Sequence, residues 1–547
     1  MKIRIRILFS AALALAAARL LGAEFDVRSF GASGDGASLD TAAVNRAIAA
    51  THDAGGGTVR FPAGRYLCYS IHLKSNVALF LDAGSVIVAA EPSEDGRTGY
   101  DPAEPNPADP YEDFGHSHWH NSLIWGEGLE NIAVTGPGMI YGYGLSRGTG
   151  HARRDVLPEE RKAGVKLPAA RNSPLESEVK PGPFSYPNAA DSLPPLVGNK
   201  AISLKECRNV VLRDFTIFHG GHFAILATAV DNWTCDGLKI DTNRDGIDFD
   251  CCRNVRVSNC TVNSPYDDGI CPKSSFGLNR NRATENVTIT NCQVSGYDEG
   301  TLLDGTYGRS IGDATGRIKL GTEANGGFKN ITVSNCIFDH CRGLALEEVD
   351  GGQMEDIAIS NLTMRDIVNA PVFIRLGARL RGPAPIGPSG ARRIKIENVV
   401  ASQVAPGQGI LISGIPGYPV QDVALTHILI TYRGGGTAAQ AARSVPEYET
   451  SYPEPEKFGA LPSYGVFARH VRGLSLDHVE LRCEAADARP AIFLADASDA
   501  ELDHVRAQRA GGSSVPALVV KSASNLFIRD CAGIPDGRWT SLDSGSW

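Results

Sequence analysis

The sequence predicts an all-β fold, a single right-handed parallel β-helix with a short N-terminal capping helix and long projecting loops. Three observations predict it. Short segments of one pattern recur along most of the chain. Within each, apolar and polar residues alternate, as in a strand buried on one face. The copies follow too closely for a helical crossover between every pair of parallel strands.

The clearest copies are Asn254-Val255-Arg256-Val257-Ser258-Asn259-Cys260, Asn286-Val287-Thr288-Ile289-Thr290-Asn291-Cys292 and Asn330-Ile331-Thr332-Val333-Ser334-Asn335-Cys336. Looser ones end at Phe215, Leu362, Val399, Ile428, Val479, Val505 and Cys531. A weak copy from Trp233 to Ile240 places Gly237 in register with Phe215 and Cys260. The unit is about 22 to 26 residues, lengthened by loops, and each coil is expected to stack on the last at about 4.8 Å. By size, 547 residues suggest several domains. A solenoid grows in one dimension, so residues 24–547 are expected to form one domain.

Elements follow in order. Lys2, Arg4 and Arg6 precede an apolar run from Ile7 to Ala18, with Leu21-Gly22-Ala23 offering a cleavage site. Residues 1–23 therefore read as a signal peptide, and the protein as secreted or periplasmic without a membrane span. Residues 24–65 read as the N-terminal cap. In it a helix runs from Asp40, as N-cap, to His52, with Val44, Ala47 and Ile48 on one face and Gly55-Gly56-Gly57 ending it. Residues 146–197 and 434–462 break the strand rhythm and read as loops that wall a groove. Of the 12 cysteines, Cys260, Cys292, Cys336 and Cys531 occupy one repeated inward position, which favours small apolar thiols. A bridge involving Cys251 and Cys252, or Cys336 and Cys341, stays open. No paired Cys-x-x-Cys units suggest zinc.

Composition bounds the partners. Hydrophobic residues make up 42%, enough for a large core, and the formal net charge is −9. Residues 1–23 hold four bases and no acid, so their removal leaves about −13. A surface of that sign repels phosphate backbones, which argues against nucleic acid.

The repeat frame then places chemistry. Asp245 lies eight residues after Gly237, Asp268 eight after Cys260 with Asp267 beside it, and Asp298 and Glu299 six and seven after Cys292. Acids so stacked on neighbouring coils raise the proton affinity of at least one member. That suits a pair in which one carboxyl donates a proton while others activate water. In Gly316-Arg317-Ile318-Lys319, Arg317 and Lys319 point to one side of a strand and are expected to hold a substrate carboxylate. His116, His118 and His120 alternate beside Trp119; sugar contacts from Trp119 or His120 are a stronger expectation than a metal site, and a plain loop without a binding role is a stronger one still.

Together these residues resemble glycoside hydrolase family 28, the polygalacturonase family. Asn243-Arg244-Asp245-Gly246 is similar to the family's Asn-Thr-Asp-Gly except at Arg244, Asp267-Asp268 matches its Asp-Asp, and Arg317-Ile318-Lys319 its Arg-Ile-Lys. The opening Phe30-Gly31-Ala32-Ser33-Gly34-Asp35-Gly36 resembles the cap of pectin-acting β-helices. Where the family carries Gly-His-Gly, this chain has Gly296-Tyr297-Asp298-Glu299-Gly300, leaving Tyr297, Asp298 and Glu299 to take over the histidine's role. The resemblance implies that Asp267 is the general acid, that Asp245 and Asp268 activate water with inversion, and that Arg317 and Lys319 bind the uronate. It implies action on a pectic polysaccharide or oligosaccharide, with no cofactor required; a monomer is expected. Inverting chemistry predicts well-separated acid and base, and the long loops predict exo action. A polysaccharide lyase and a non-catalytic carbohydrate-binding β-helix are the alternatives.

Overall fold

The computed structural model describes residues 23–93, 96–112, 115–146, 196–310 and 314–547. The signal-peptide reading of 1–23 falls almost wholly outside them, as does the loop expected over 146–197. Among the described residues, strands form a 30-stranded and a six-stranded sheet, and consecutive coils pair in parallel. This is the right-handed parallel β-helix that the repeats predict.

The six-stranded sheet positions the site. Its strands are β1 (Ile71–His72), β2 (Ile124–Glu127), β3 (Lys200–Lys205), β4 (Phe223–Thr228), β5 (Asp245–Asp250) and β6 (Ile270–Lys273). One isoleucine per coil points inward and stacks on the next: Ile71, Ile124, Ile202, Ile225, Ile247, Ile270 and Ile318. All are fully buried. A one-residue slip would turn this row toward solvent, so the ladder fixes the phase of every side chain beside it.

A second row holds the opposite corner. Cys260, Cys292, Cys336 and Leu362 stack on successive coils. Each follows an asparagine in the left-handed region, φ near +55°, whose amide bonds to the asparagine of a neighbouring coil: Asn291 to Asn259 at 3.3 Å, Asn361 to Asn335 at 2.9 Å. The weak copy from Trp233 to Ile240 sits one residue out of the register that the spacing predicts. Leu238, not Gly237, stacks between Phe215 and Cys260. Gly237, at φ +68°, occupies the left-handed turn position that Asn259 fills one coil later.

Both ends are covered. Helix α1 (Thr41–Asp53) buries Val44, Ala47 and Ile48 against the first coils, as expected. Asp40 does sit at its N-cap, but its carboxylate instead accepts from the Ser33 and Gly34 amides at 2.6 and 3.0 Å, pinning the preceding turn. At the other end β9 (Leu518–Arg529) pairs antiparallel with β10 (Gly537–Ser546), which closes the open edge. All twelve cysteines are free thiols, so the bridges left open by the sequence do not form. No helix among the described residues is long and apolar enough to cross a membrane.

The 434–462 segment is a packed wall. Phe458 sinks into an apolar cluster with Phe373, Leu411 and Phe467. The Arg375 and Arg469 guanidinium groups lie 5.0 and 5.6 Å from its ring, and Arg375 Nη2 donates to the Glu447 and Tyr448 carbonyls.

Candidate active site

The isoleucine ladder brings the predicted acids together. With Ile247 on Ile270, Asp245 and Asp268 hold equivalent places two residues earlier, and Arg244 lies over Asp267. The equal eight-residue offsets read from the sequence arose from the misplaced Gly237. From the corrected Leu238 the offset to Asp245 is seven, and one extra residue in the 264–268 turn restores the stack. Coils approach closely here. A Cβ on Gly246 would lie 2.4 Å from the Gly269 carbonyl oxygen, which is why each aspartate is followed by glycine.

One oxygen from each of Asp245, Asp267 and Asp268 lies within 4.8 Å of the others. This overturns the expected wide separation of acid and base, for which about 6.5–9.5 Å is usual in inverting enzymes. Asp245 and Asp268 are 2% and 1% exposed, and their environments push them apart. Burial, then the charges of Asp248 and Asp267, hold the Asp245 carboxyl well above the usual range. Burial also works to raise Asp268, but Lys319, Arg317 and Lys273 overcome it and hold that carboxylate well below the usual range. Asp267 is the more exposed and pairs with Arg244. The trio has a spacing suited to metal ligation, yet Arg244, Lys273, Arg317 and Lys319 already supply the compensating positive charge.

Arg317 and Lys319 differ from expectation. Neither presents a free cation to the groove, because both are only 1–2% exposed and paired within the chain. Arg317 Nε donates to Asp268 Oδ1 at 2.8 Å, and Lys319 Nζ lies 3.1 Å from Asp268 Oδ2. The remaining Arg317 fork goes to Glu454 of the 434–462 wall. Glu347 on β8 (Leu344–Glu348), next coil to β7 (Lys319–Leu320), lies 3.7 Å from Lys319. Its carboxyl is raised to about 7 by burial, which the two cations only partly offset.

Asp298 and Glu299 do not continue the acid stack. Arg317 follows Gly269 on the coil above Asp268, while residues 296–315 leave the coil as a loop. Glu299 is buried against His219 Nδ1 at 3.0 Å. Tyr297 stacks on His340, 5.4 Å between centroids, whose Nδ1 pairs with Asp366 at 2.7 Å. Asp298 donates its amide to the Gly308 carbonyl and so shapes the loop. Histidines therefore do reach this segment, supplied by other coils. His116, His118 and His120 go to three different acids, Asp248, Asp109 and Glu127, and share no metal. Trp119 is 1% exposed and donates to Thr228, so it is core and not a sugar platform.

Sequence reasoning missed Asp248, Lys273, Glu347 and Glu454. The first two were legible by alternation, since Asp248, like Lys319, follows its ladder isoleucine, and Lys273 continues β6. Glu454 lies 137 residues from Arg317 and carries no local signal.

Fold and site define a right-handed parallel β-helix with a carboxylate cluster set among buried cations on one face. The sequence comparisons are more particular. Residues 195–450 match the profile "Glycosyl hydrolases family 28", and residues 25–135 match "Rhamnogalacturonase A/epimerase, pectate lyase-like". Close to half of the chain thus matches the family 28 profile. The chain is 23% identical over 371 residues to an exo-poly-alpha-D-galacturonosidase of Dickeya chrysanthemi, covering 64% of this chain and 56% of that one. A 67-residue stretch is 51% identical to a mannuronan C5-epimerase of Azotobacter vinelandii, 12% of this chain and 4% of that one. The chain thus spans little more than half of the first relative and a small part of the second. A hyperthermoactive exopolygalacturonase from Thermotoga maritima shares the fold, with TM-score 0.52, 15% identity, and 96% and 95% of the two chains covered.

Proposed function

We propose that this protein is an exported glycoside hydrolase that cleaves a uronate-containing pectic glycan by acid–base hydrolysis. The observation that carries the reading is the trio Asp245, Asp267 and Asp268, in which burial raises the proton affinity of one member while flanking cations lower that of another. A hydrolase needs that division of roles. Clamped by two cations, Asp268 is not the proton donor. The Asp245–Asp267 pair holds the proton, and Asp267, the member more open to the groove, delivers it to the leaving oxygen. Water lodged between Asp245 and Asp268 is then activated as the proton leaves the pair.

Inversion is supported by the state of the carboxylates. A double displacement needs a free ionised nucleophile, whereas each Asp268 oxygen is held, one by Arg317 and one by Lys319. Exo action is supported by the 434–462 wall, which closes the site over Arg317. The apolar run of residues 7–18 supports export.

The test is incubation of the chain from residue 24 with polygalacturonate and rhamnogalacturonan. New reducing ends without ultraviolet-absorbing unsaturated sugars, monomer or dimer as the first product, and the inverted anomer by early NMR are expected. Asp267→Asn should lose about 10²-fold or more in kcat with KM little changed. Unsaturated products would make the protein a lyase, binding without products a binding module, and full activity of Asp267→Asn would sink the assignment.

A further inference from the structure

Arg317 is the group a sequence reading offers to a substrate carboxylate, yet its fork is already filled. Arg317 Nη2 and Nη1 donate to Glu454 Oε1 and Oε2 at 2.7 and 3.2 Å, a bidentate pair. Glu454 Oε2 also accepts from Arg342 Nη1 at 2.8 Å. Around this point Arg317, Lys319 and Arg342 face Asp268, Glu347 and Glu454, three cations against three carboxyl groups. Arg317 and Lys319 are thus already engaged within the chain, and the Arg317 fork is not open to an incoming anion.

The Glu454 carboxylate is a built part of the wall. The Tyr452 hydroxyl bonds to Thr322 Oγ1 at 3.0 Å, and its ring lies 5.6 Å from Lys319 Nζ. On the other side Glu456 accepts from Asn369 at 2.8 Å, and Phe458 is 1% exposed in its apolar cluster. These anchors hold residues 452–458 in place without any help from Arg317.

We propose that Glu454 is a specificity-determining residue: it fills the place of a substrate carboxylate at Arg317, so the sugar unit seated beside Arg317 and Lys319 is uncharged. The class of unit that fits is a neutral sugar or an esterified uronate, with ionised uronates bound elsewhere along the groove. The inference rests on the proposed function and narrows its substrate to a glycan of mixed neutral and uronate units, in preference to a fully ionised galacturonan.

The deciding experiment measures binding apart from turnover. D-galacturonate and its methyl ester are titrated by ligand-observed NMR into wild type, Glu454→Gln and Glu454→Asp. Wild type is expected to bind the ester about tenfold tighter than the acid. In Glu454→Gln, a near isostere, the acid should gain about tenfold while the ester changes less than about threefold. Glu454→Asp, which keeps the charge on a shorter arm, should behave like wild type and guards against a merely disordered wall. Equal affinities in wild type, or no gain for the acid in Glu454→Gln, overturn the inference. On polymers, wild type should release reducing ends faster from methyl-esterified than from de-esterified polygalacturonate, and Glu454→Gln should narrow that ratio. If wild type cleaves no pectic glycan, the proposed function fails, and the monosaccharide titration still decides the role of Glu454.

Discussion

Removing Lys319 should move the acid limb of activity. Lys319 Nζ lies 3.1 Å from Asp268 Oδ2, and both side chains are only 2% exposed. At an effective dielectric of about 20 this attraction amounts to about 5 kcal/mol, or about four pK units. Arg317 Nε still pairs with Asp268 in Lys319→Met, so part of the hold survives. Asp268 is thus expected to rise by about two to three pK units, and the fold to lose about 2 to 4 kcal/mol near neutral pH. The sign follows from linkage. A carboxylate depressed in the folded state adds stability above its unfolded pKa and loses it as pH falls through the folded pKa. In wild type that loss falls far into acid; in Lys319→Met it moves toward ordinary carboxylate values. The assay is kcat/KM on a pectic substrate, with thermal melts, across pH 3 to 8. An unmoved acid limb together with unchanged melts would refute the view that Lys319 keeps Asp268 ionised.

Two further outcomes are expected. Asp241 is fully buried and raised to about 7 by burial, against donation from Asn263 and from the Gly300 and Leu303 amides. Its contribution to stability is therefore complete below about pH 4 and lost as pH rises through about 7. Asp241→Asn should flatten that part of the melting-temperature profile, and an unaltered slope would contradict it. Thiol titration in denaturant should find all twelve cysteines reactive without a reductant. In the native state only the partly exposed Cys483 should label quickly, and a need for reductant would contradict the free-thiol assignment.

Legibility in the sequence followed the range of the physical cause. Alternation is a two-residue signal, and it exposed the strands ending at Cys260, Cys292 and Cys336 and the shared face of Arg317 and Lys319. The 22- to 26-residue spacing exposed the coil and placed Asp245 near Asp267 and Asp268. It failed where a coil gains or loses one residue. Spacing alone puts Gly237 where Leu238 stacks, and Asp298 and Glu299 in a third layer they do not form, because a turn absorbs an extra residue with no change in composition.

By itself the sequence determined the architecture and the membership of the acid trio, since both rest on a short period repeated along the chain. Only the tertiary structure decided the charge state of that trio and the availability of its cations. Burial raises the proton affinity of Asp245, while cations drawn from other coils lower that of Asp268. Arg317 is closed to outside anions by Glu454, 137 residues away. Coulomb energy depends on distance in space and on access to water, and neither scales with separation along the chain.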